Sequence, residues 1–147
     1  MCQRADEMKA VLRSLTNWAI ATPNIHAVAL VGSWARGTAR LDSDIDIMLL
    51  VTDPAAFQAN SAWLHDIDWP QHRSASSWKD ETYGAVWSRH VRLKDATEVE
   101  LSFGLPAWAA INPIDSGTRQ VVCAGCRILY DPLKLLESLM SAVEAMR

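Results

Sequence analysis

The 147-residue chain carries 14 basic and 17 acidic side chains, a formal charge of −3, and half of its residues are hydrophobic. That length fits one domain, 1–147, with a real core; the apolar content excludes a disordered chain, and the acidic balance argues against a broad nucleic-acid-binding face. No apolar run approaches the roughly 20 residues of a membrane span, and the charged N-terminus lacks the apolar centre of a signal peptide, so the reading is a cytoplasmic protein with no membrane partner.

Residues 4 to 21 predict a helix, because Met8, Val11, Leu12, Leu15, Trp18 and Ala19 recur at three- and four-residue steps. Thr22-Pro23-Asn24 ends it, and "IHAVALV", 25 to 31, predicts a buried strand. Gly32-Ser33 breaks that strand, and a short helical turn is expected through Arg36. "IDIMLLV", 45 to 51, predicts a second buried strand. Asp53-Pro54 supplies an N-cap and a first-turn proline for a helix from Pro54 to about His65. Residues 66 to 80 give no clear pattern. Tyr83 to Leu93 and Glu98 to Phe103 read as two strands around the turn "KDAT". A short helix over "SGTRQVVCAG", a strand over "CRILYD" and a closing helix from Pro132 to Met146 complete the chain. Helix and strand alternate throughout, which predicts an α/β (α+β) domain: a mixed central sheet of about five strands flanked by helices.

Three cysteines, Cys2, Cys123 and Cys126, make no disulfide framework. Cys123 and Cys126 form a C-x-x-C, but a structural zinc site needs four ligands and no second pair exists; they read as small side chains near a helix end.

The chemistry concentrates in "LVGSWARGTARLDSDIDIMLLV", residues 30 to 51. Side chains of a strand alternate faces, so Asp44 and Asp46 point one way while Ile45, Ile47, Leu49 and Val51 point the other. Two carboxylates roughly 6 Å apart repel by about 0.7 kcal/mol in water and nearly 3 at an effective dielectric of 20. A hard divalent cation such as Mg²⁺ reverses the sign of that energy. A solvated strand end is the plainer alternative. Just upstream, Gly32 lets backbone approach a ligand, Ser33 offers a backbone N–H and a hydroxyl, and a helical turn beginning there points more N–H groups at the same spot. Arg36 adds charge. A phosphate cradle and an acidic metal site on either side of one short connection suit a nucleoside triphosphate with Mg²⁺. The G-x-x-x-x-G spacing of Gly32 and Gly37 is not a P-loop, because Thr38 follows directly with no lysine.

Gly32-Ser33 followed by Asp44-x-Asp46 resembles the DNA polymerase β-like nucleotidyltransferase superfamily, and the longer "GSWARGTARLDSDIDIMLL" resembles its small bacterial members: the minimal nucleotidyltransferases paired with helical HEPN proteins and the aminoglycoside nucleotidyltransferases. The resemblance implies a third carboxylate on a neighbouring strand. Glu98 and Glu100, in "ATEVELSFG", are the candidates; Glu100 is preferred because it lies deeper in the apolar run, with Glu98 second. It also implies two Mg²⁺ ions held by Asp44, Asp46 and Glu100, with Gly32 and Ser33 on the phosphates of ATP or another NTP, and transfer of a nucleoside monophosphate with release of pyrophosphate. Arg36 and Arg40 either hold phosphates or pair with aspartates of the loop. Trp34 stacks on a ligand or packs on the adjacent helix, and Asp42 reads as a turn or capping residue.

The acceptor is the open question. Aminoglycoside enzymes of this resemblance usually carry a further helical region, whereas only about 15 residues follow Asp131, which counts against a self-contained drug-modifying monomer; a homodimer building the acceptor site between subunits is the exception. The preferred expectation is an antitoxin-like enzyme acting on a HEPN-type partner. The alternatives are a small-molecule acceptor, and a catalytically silent module that neutralises a partner by contact. Trp69, Trp78, Tyr83 and Trp87 either shape an acceptor surface or fill the core.

Overall fold

A computed structural model of the chain describes residues 2–40, 43–72, 74–94 and 97–147. Its centre is a six-stranded sheet. The strands are β1 (Ile25–Val31), β2 (Ile45–Val51), β3 (Ala75–Tyr83), β4 (Val86–Leu93), β5 (Glu98–Gly104) and β6 (Cys126–Tyr130), in the spatial order β3-β4-β5-β2-β1-β6. Only β2 and β5 run parallel; every other neighbouring pair is antiparallel.

Period-two alternation sorts the strands into two faces. Ile45, Ile47, Leu49 and Val51 of β2 join Val28 and Leu30 of β1, Val99, Leu101 and Phe103 of β5 and Trp87, Val91 and Leu93 of β4 in one core. Helix α1 (Cys2–Ile20) closes that face with the apolar stripe read from its sequence, together with α3 (Ala55–Ala59) and α4 (Trp63–Asp66). Rings interlock where these layers meet: Phe57 and Trp87 lie 4.7 and 4.9 Å from Phe103, and Trp18 stacks on Trp63 at 5.4 Å. The second face carries a smaller core, in which Ala27 and Ala29 of β1 and Met48 and Leu50 of β2 meet α5 (Ser116–Ala124) and α6 (Leu135–Ala145) through Val122, Leu136, Leu139 and Val143. On this face of β4 and β5 stand Ser88, His90 and Arg92, and Glu98, Glu100 and Ser102, instead of apolar groups.

Three expectations change. The helix expected from Pro54 to His65 is broken, because the Asn60 side chain accepts the Ala62 N–H at 2.8 Å and turns the chain between α3 and α4. The strand expected from Tyr83 to Leu93 is the second arm of a hairpin: β3 ends at Tyr83, the chain turns at Gly84-Ala85, and β4 starts at Val86. Strand β3, the sixth of the sheet, is an edge strand exposed along nearly its whole length, so its sequence "ASSWKDETY" has no apolar alternation to reveal it. The closing helix begins at Leu135 rather than Pro132, where the Asp131 carboxylate accepts the N–H groups of Leu136 and Glu137 at 3.1 and 2.9 Å. Asp42 and the Asp95-Ala96 part of the "KDAT" turn lie outside the described residues.

Arg89, on the first face of β4, is only 2% exposed. Its guanidinium makes a two-pronged pair with Asp80 at 2.8 and 3.0 Å and donates to Ser61 at 2.9 Å, with the rings of Trp63, Trp78 and Trp87 within 5.0–5.5 Å. The aromatic residues in question therefore divide: Trp69 and Trp87 are core, and Trp78 and Tyr83 on β3 are 41% and 51% exposed.

Candidate active site

Register assembles the site. Val31, at the end of β1, pairs with Asp46; Asp46 pairs with Glu100 on β5; Glu100 pairs with His90 on β4; His90 pairs with Lys79 on β3. Residues directly opposite one another share a face, so Asp46, Glu100 and His90 form one polar row across three adjacent strands. Two residues back along β5, Glu98 takes its place beside Asp44, with Arg92 opposite.

Gly32 follows Val31 directly and is the first residue of α2 (Gly32–Arg36). Its φ of +74° is a left-handed conformation that side chains disfavour, and a Cβ built there collides with the Asp46 carboxylate. Backbone and carboxylate thus sit against each other with no room for a side chain. The turn closes when the Ser33 carbonyl accepts the N–H groups of Gly37 and Thr38.

Crowding shows in the acid–base properties. Burial, then the charges of Glu100 and Asp44, push the Asp46 carboxyl up to about 7, with a hydrogen bond to Glu100 contributing. Asp44 is raised as well, by burial first and then by its hydrogen bond to Glu98. Glu98 is lowered, chiefly because Arg92 Nη2 donates to it at 3.0 Å. Among the described residues the acids stand as two pairs, Asp44 with Glu98 and Asp46 with Glu100, and not as a closed group of three metal ligands.

Sequence reasoning missed His90 and Glu81. The His90 Nε2 lies 3.5 Å from Glu100 Oε2 and 3.4 Å from Glu81 Oε1. Glu81 in turn accepts the Tyr83 hydroxyl at 2.9 Å, a bond that raises the phenol's pKa. The signal for His90 was its place on the strand beside Glu100; Glu81 was hidden with the rest of β3. A groove of about 290 Å³ opens beside them, lined by Ser77, Lys79, Glu81, His90, Arg92 and Glu98 among others. A larger hollow of about 440 Å³ between α1 and Asp66–Asp68 is lined partly by Trp18 of the first-face core, so it does not belong with these carboxylates.

Arg36 is engaged elsewhere. Its Nε donates to Thr38 Oγ1 at 3.0 Å and its Nη1 to the Ala124 carbonyl at 3.1 Å, tying α2 to the end of α5. Gly125 permits that approach, since a Cβ there comes within 3.0 Å of the Arg36 backbone. Trp34 packs against the first-face core and donates to the Ser43 carbonyl at 3.4 Å. Cys123 is exposed on α5; Cys126 is partly buried on β6, and burial pushes its thiol up to about 11.

Residues 5–98 match the sequence profile of the family described as streptomycin adenylyltransferase. No curated protein matches significantly. Among solved structures, an aminoglycoside 6-adenyltransferase from Bacillus subtilis is similar with a TM-score of 0.51 and 18% identity, over 70% of this chain and 36% of that one. A chain of a toxin-antitoxin complex with AMP-PNP is similar with a TM-score of 0.50 and 15% identity, over 92% of this chain and 85% of that one. At such identities the likeness shows a shared fold, and the chain spans about a third of the length of the Bacillus subtilis enzyme. The profile covers well over half of the chain and includes the Gly32-Ser33 bend, Asp44 just before β2, Asp46 within it, and Glu98: this chain belongs to the streptomycin adenylyltransferase family.

Proposed function

We propose that the chain is a Mg²⁺-dependent nucleotidyltransferase that moves a nucleoside monophosphate, AMP from ATP, onto a hydroxyl and releases pyrophosphate. The observation that carries this reading is the carboxylate row Asp46–Glu100 set against a glycine that has no room for a side chain. Hard oxygen donors, set closely enough that Glu100 and Asp44 add to the effect of burial in raising Asp46, are the donor set that Mg²⁺ accepts. Asp44, Asp46 and Glu100 are the residues that would hold it. Bound there, Mg²⁺ supplies charge neutralisation for a triphosphate and makes an acceptor hydroxyl more acidic.

The chain's own groups do the rest. Gly32 lets the backbone run against the Asp46 carboxylate, and Ser33, the next residue, offers its N–H and hydroxyl to the β- and γ-phosphates. The acceptor oxygen attacks the α-phosphorus in line as the bond to pyrophosphate breaks, and a carboxylate of β5, Glu100 or Glu98, takes the proton. Positioning and electrostatics carry such a reaction without a covalent intermediate. Arg36 has little part in holding phosphate on this reading, because its guanidinium is committed to Thr38 and Ala124.

For the acceptor, the reading is a tyrosine hydroxyl of a HEPN-type protein partner. It is supported by the likeness to a chain of a toxin-antitoxin complex with AMP-PNP, of which this chain covers 85%. A small-molecule acceptor is the second reading, favoured by the family profile itself. Incubation with each labelled nucleoside triphosphate, Mg²⁺, and either a HEPN-type protein or a panel of aminoglycosides separates the two. Label in the protein supports the first and label in a drug the second. No Mg²⁺-dependent pyrophosphate release with any acceptor refutes both.

A further inference from the structure

A row of acids on one sheet face needs something to hold each member in place. Glu100 is one methylene longer than Asp44 and Asp46, and its terminal torsion is broad, so its carboxylate is less fixed by its own backbone than theirs. On one side it meets Asp46. On the other, 3.5 Å away, stands the His90 Nε2, which is shut off from solvent and has no hydrogen bond among the described residues. Buried polar atoms are normally paired, so an unpaired one between two carboxylates is a feature to explain. At 3.4 and 3.5 Å both carboxylates lie just beyond ordinary hydrogen-bond length, and a shift of about half an ångström closes either contact. Glu81 is itself anchored by Tyr83, and Glu100, which meets Asp46 on its other side, is the partner whose position the imidazole can set.

We infer that His90 is a positioning residue of the proposed transfer site: through Nε2 it holds the Glu100 carboxylate beside Asp46, while Glu81 and Tyr83 brace the imidazole from the edge hairpin. This rests on the proposed function, since it gives His90 a role toward the group that Asp44, Asp46 and Glu100 would bind. The chain of contacts runs Tyr83, Glu81, His90, Glu100, Asp46, across four strands. A ring that merely filled space would do so equally well without a nitrogen at that point. Misplacing a reacting group by about 1 Å costs on the order of 100-fold in rate, which is the scale on which such a brace matters.

Three substitutions separate the roles. His90→Gln places an amide nitrogen near the position of Nε2; His90→Asn reaches only as far as Nδ1; His90→Phe keeps the ring volume and loses both nitrogens. The readout is the Mg²⁺ concentration that gives half of the metal-induced rise in Tm, with kcat measured in parallel and Tm without metal reporting the fold. The expected result is a roughly tenfold weaker Mg²⁺ response and a lower kcat in His90→Phe and His90→Asn, with His90→Gln within about threefold of the wild type. His90→Phe matching the wild type, or His90→Gln falling as far as His90→Phe, overturns the assignment while leaving the proposed function standing. A wild-type chain with no Mg²⁺ response and no transfer overturns the proposed function itself, and this assignment with it.

Discussion

Gly32 tests the architecture of the site most directly, because the chain contains its own control. Gly32 and Gly37 flank the same short helix with nearly the same left-handed φ, +74° and +81°. A Cβ at Gly37 meets nothing within 4 Å, whereas one at Gly32 collides with Asp46. Gly37→Ala therefore bears only the cost of a side chain in the left-handed region, about 1–2 kcal/mol. Gly32→Ala bears the same cost and must also drive the Asp46 carboxylate from its rotamer, about 1 kcal/mol more. For a chain of this size each kcal/mol lowers Tm by about 2–4 °C, so a further drop of ~3 °C separates the two variants. Displacing Asp46 should also cost nucleotidyl transfer on the order of 100-fold, with Gly37→Ala near wild type. In an Asp46→Ala background the obstructing oxygens are gone, and Gly32→Ala should then cost no more than Gly37→Ala, a coupling of about 1 kcal/mol. Scanning calorimetry on the six proteins of these two backgrounds, the wild type among them, supplies the numbers. Equal melting temperatures for Gly32→Ala and Gly37→Ala, or strict additivity with Asp46→Ala, would refute the reasoning.

Other perturbations probe the acids and the core. Glu100→Gln should lower kcat on the order of 100-fold and Glu98→Gln much less, because Glu98 is engaged by Arg92; the reverse order, measured as pyrophosphate release, moves the third carboxylate to Glu98. The raised pKa of Asp46 makes its ionisation unfavourable to folding, so its contribution is fully present below the unfolded value of 3.8 and is lost as pH rises through about 7. A displacement of that size corresponds to ~4 kcal/mol, and solvent screening of a partly exposed group leaves about 2; the metal-free protein should lose several degrees of Tm between pH 4 and 8, Asp46→Asn should flatten the slope, and a flat wild-type profile counts against the burial assigned to Asp46. Arg89→Ala should destabilise by about 2–4 kcal/mol through lost packing beneath three indoles, and Arg89→Met by less, because Asp80 is 42% exposed and is not left as a buried charge; an unchanged urea midpoint for Arg89→Ala would contradict this.

The legible parts of the sequence were those whose two sides differ. β1 and β2 were read to the residue, because an apolar run bounded by Gly32, Asp44 and Asp53 leaves no other register. The stripe of α1 was legible for the same reason. What escaped was β3, whose side chains face solvent on both sides and carry no periodicity, and with it Glu81 and the hairpin that braces the groove. The break between α3 and α4 escaped because one side-chain hydrogen bond from Asn60 outweighs a helical pattern on either side of it. In the site, the Asp44-x-Asp46 spacing gave a shared face, but only the parallel pairing of β2 with β5 sets Glu100 opposite Asp46, and pairing between strands some fifty residues apart is not written in local sequence. Arg36 shows the converse limit: a cation three residues past the Gly32-Ser33 bend looks like a ligand, and one of its actual partners, the Ala124 carbonyl, lies 88 residues further along the chain.

The placement of the acids on one side of the sheet follows from what covers the other. β2, β4 and β5 each bury their alternate residues in the first-face core, where Ile45, Ile47, Val99, Leu101 and Phe103 are at most 1% exposed. That packing fixes the strand backbones and, with them, the origins of Asp46, Glu100 and His90. On the second face, α5 and α6 pack against β1, Met48 and Leu50, while β3, β4 and β5 present Lys79, Glu81, His90, Arg92 and Glu98 to a groove beside the polar row. Acids on mobile loops relax by moving apart; held at the paired strands β2 and β5 they cannot, and burial first, then the neighbouring carboxylates, raise the pKa values of Asp44 and Asp46. A cation held there, as proposed, would relieve the repulsion between these acids, and the core that fixes their strands would then contribute to its binding.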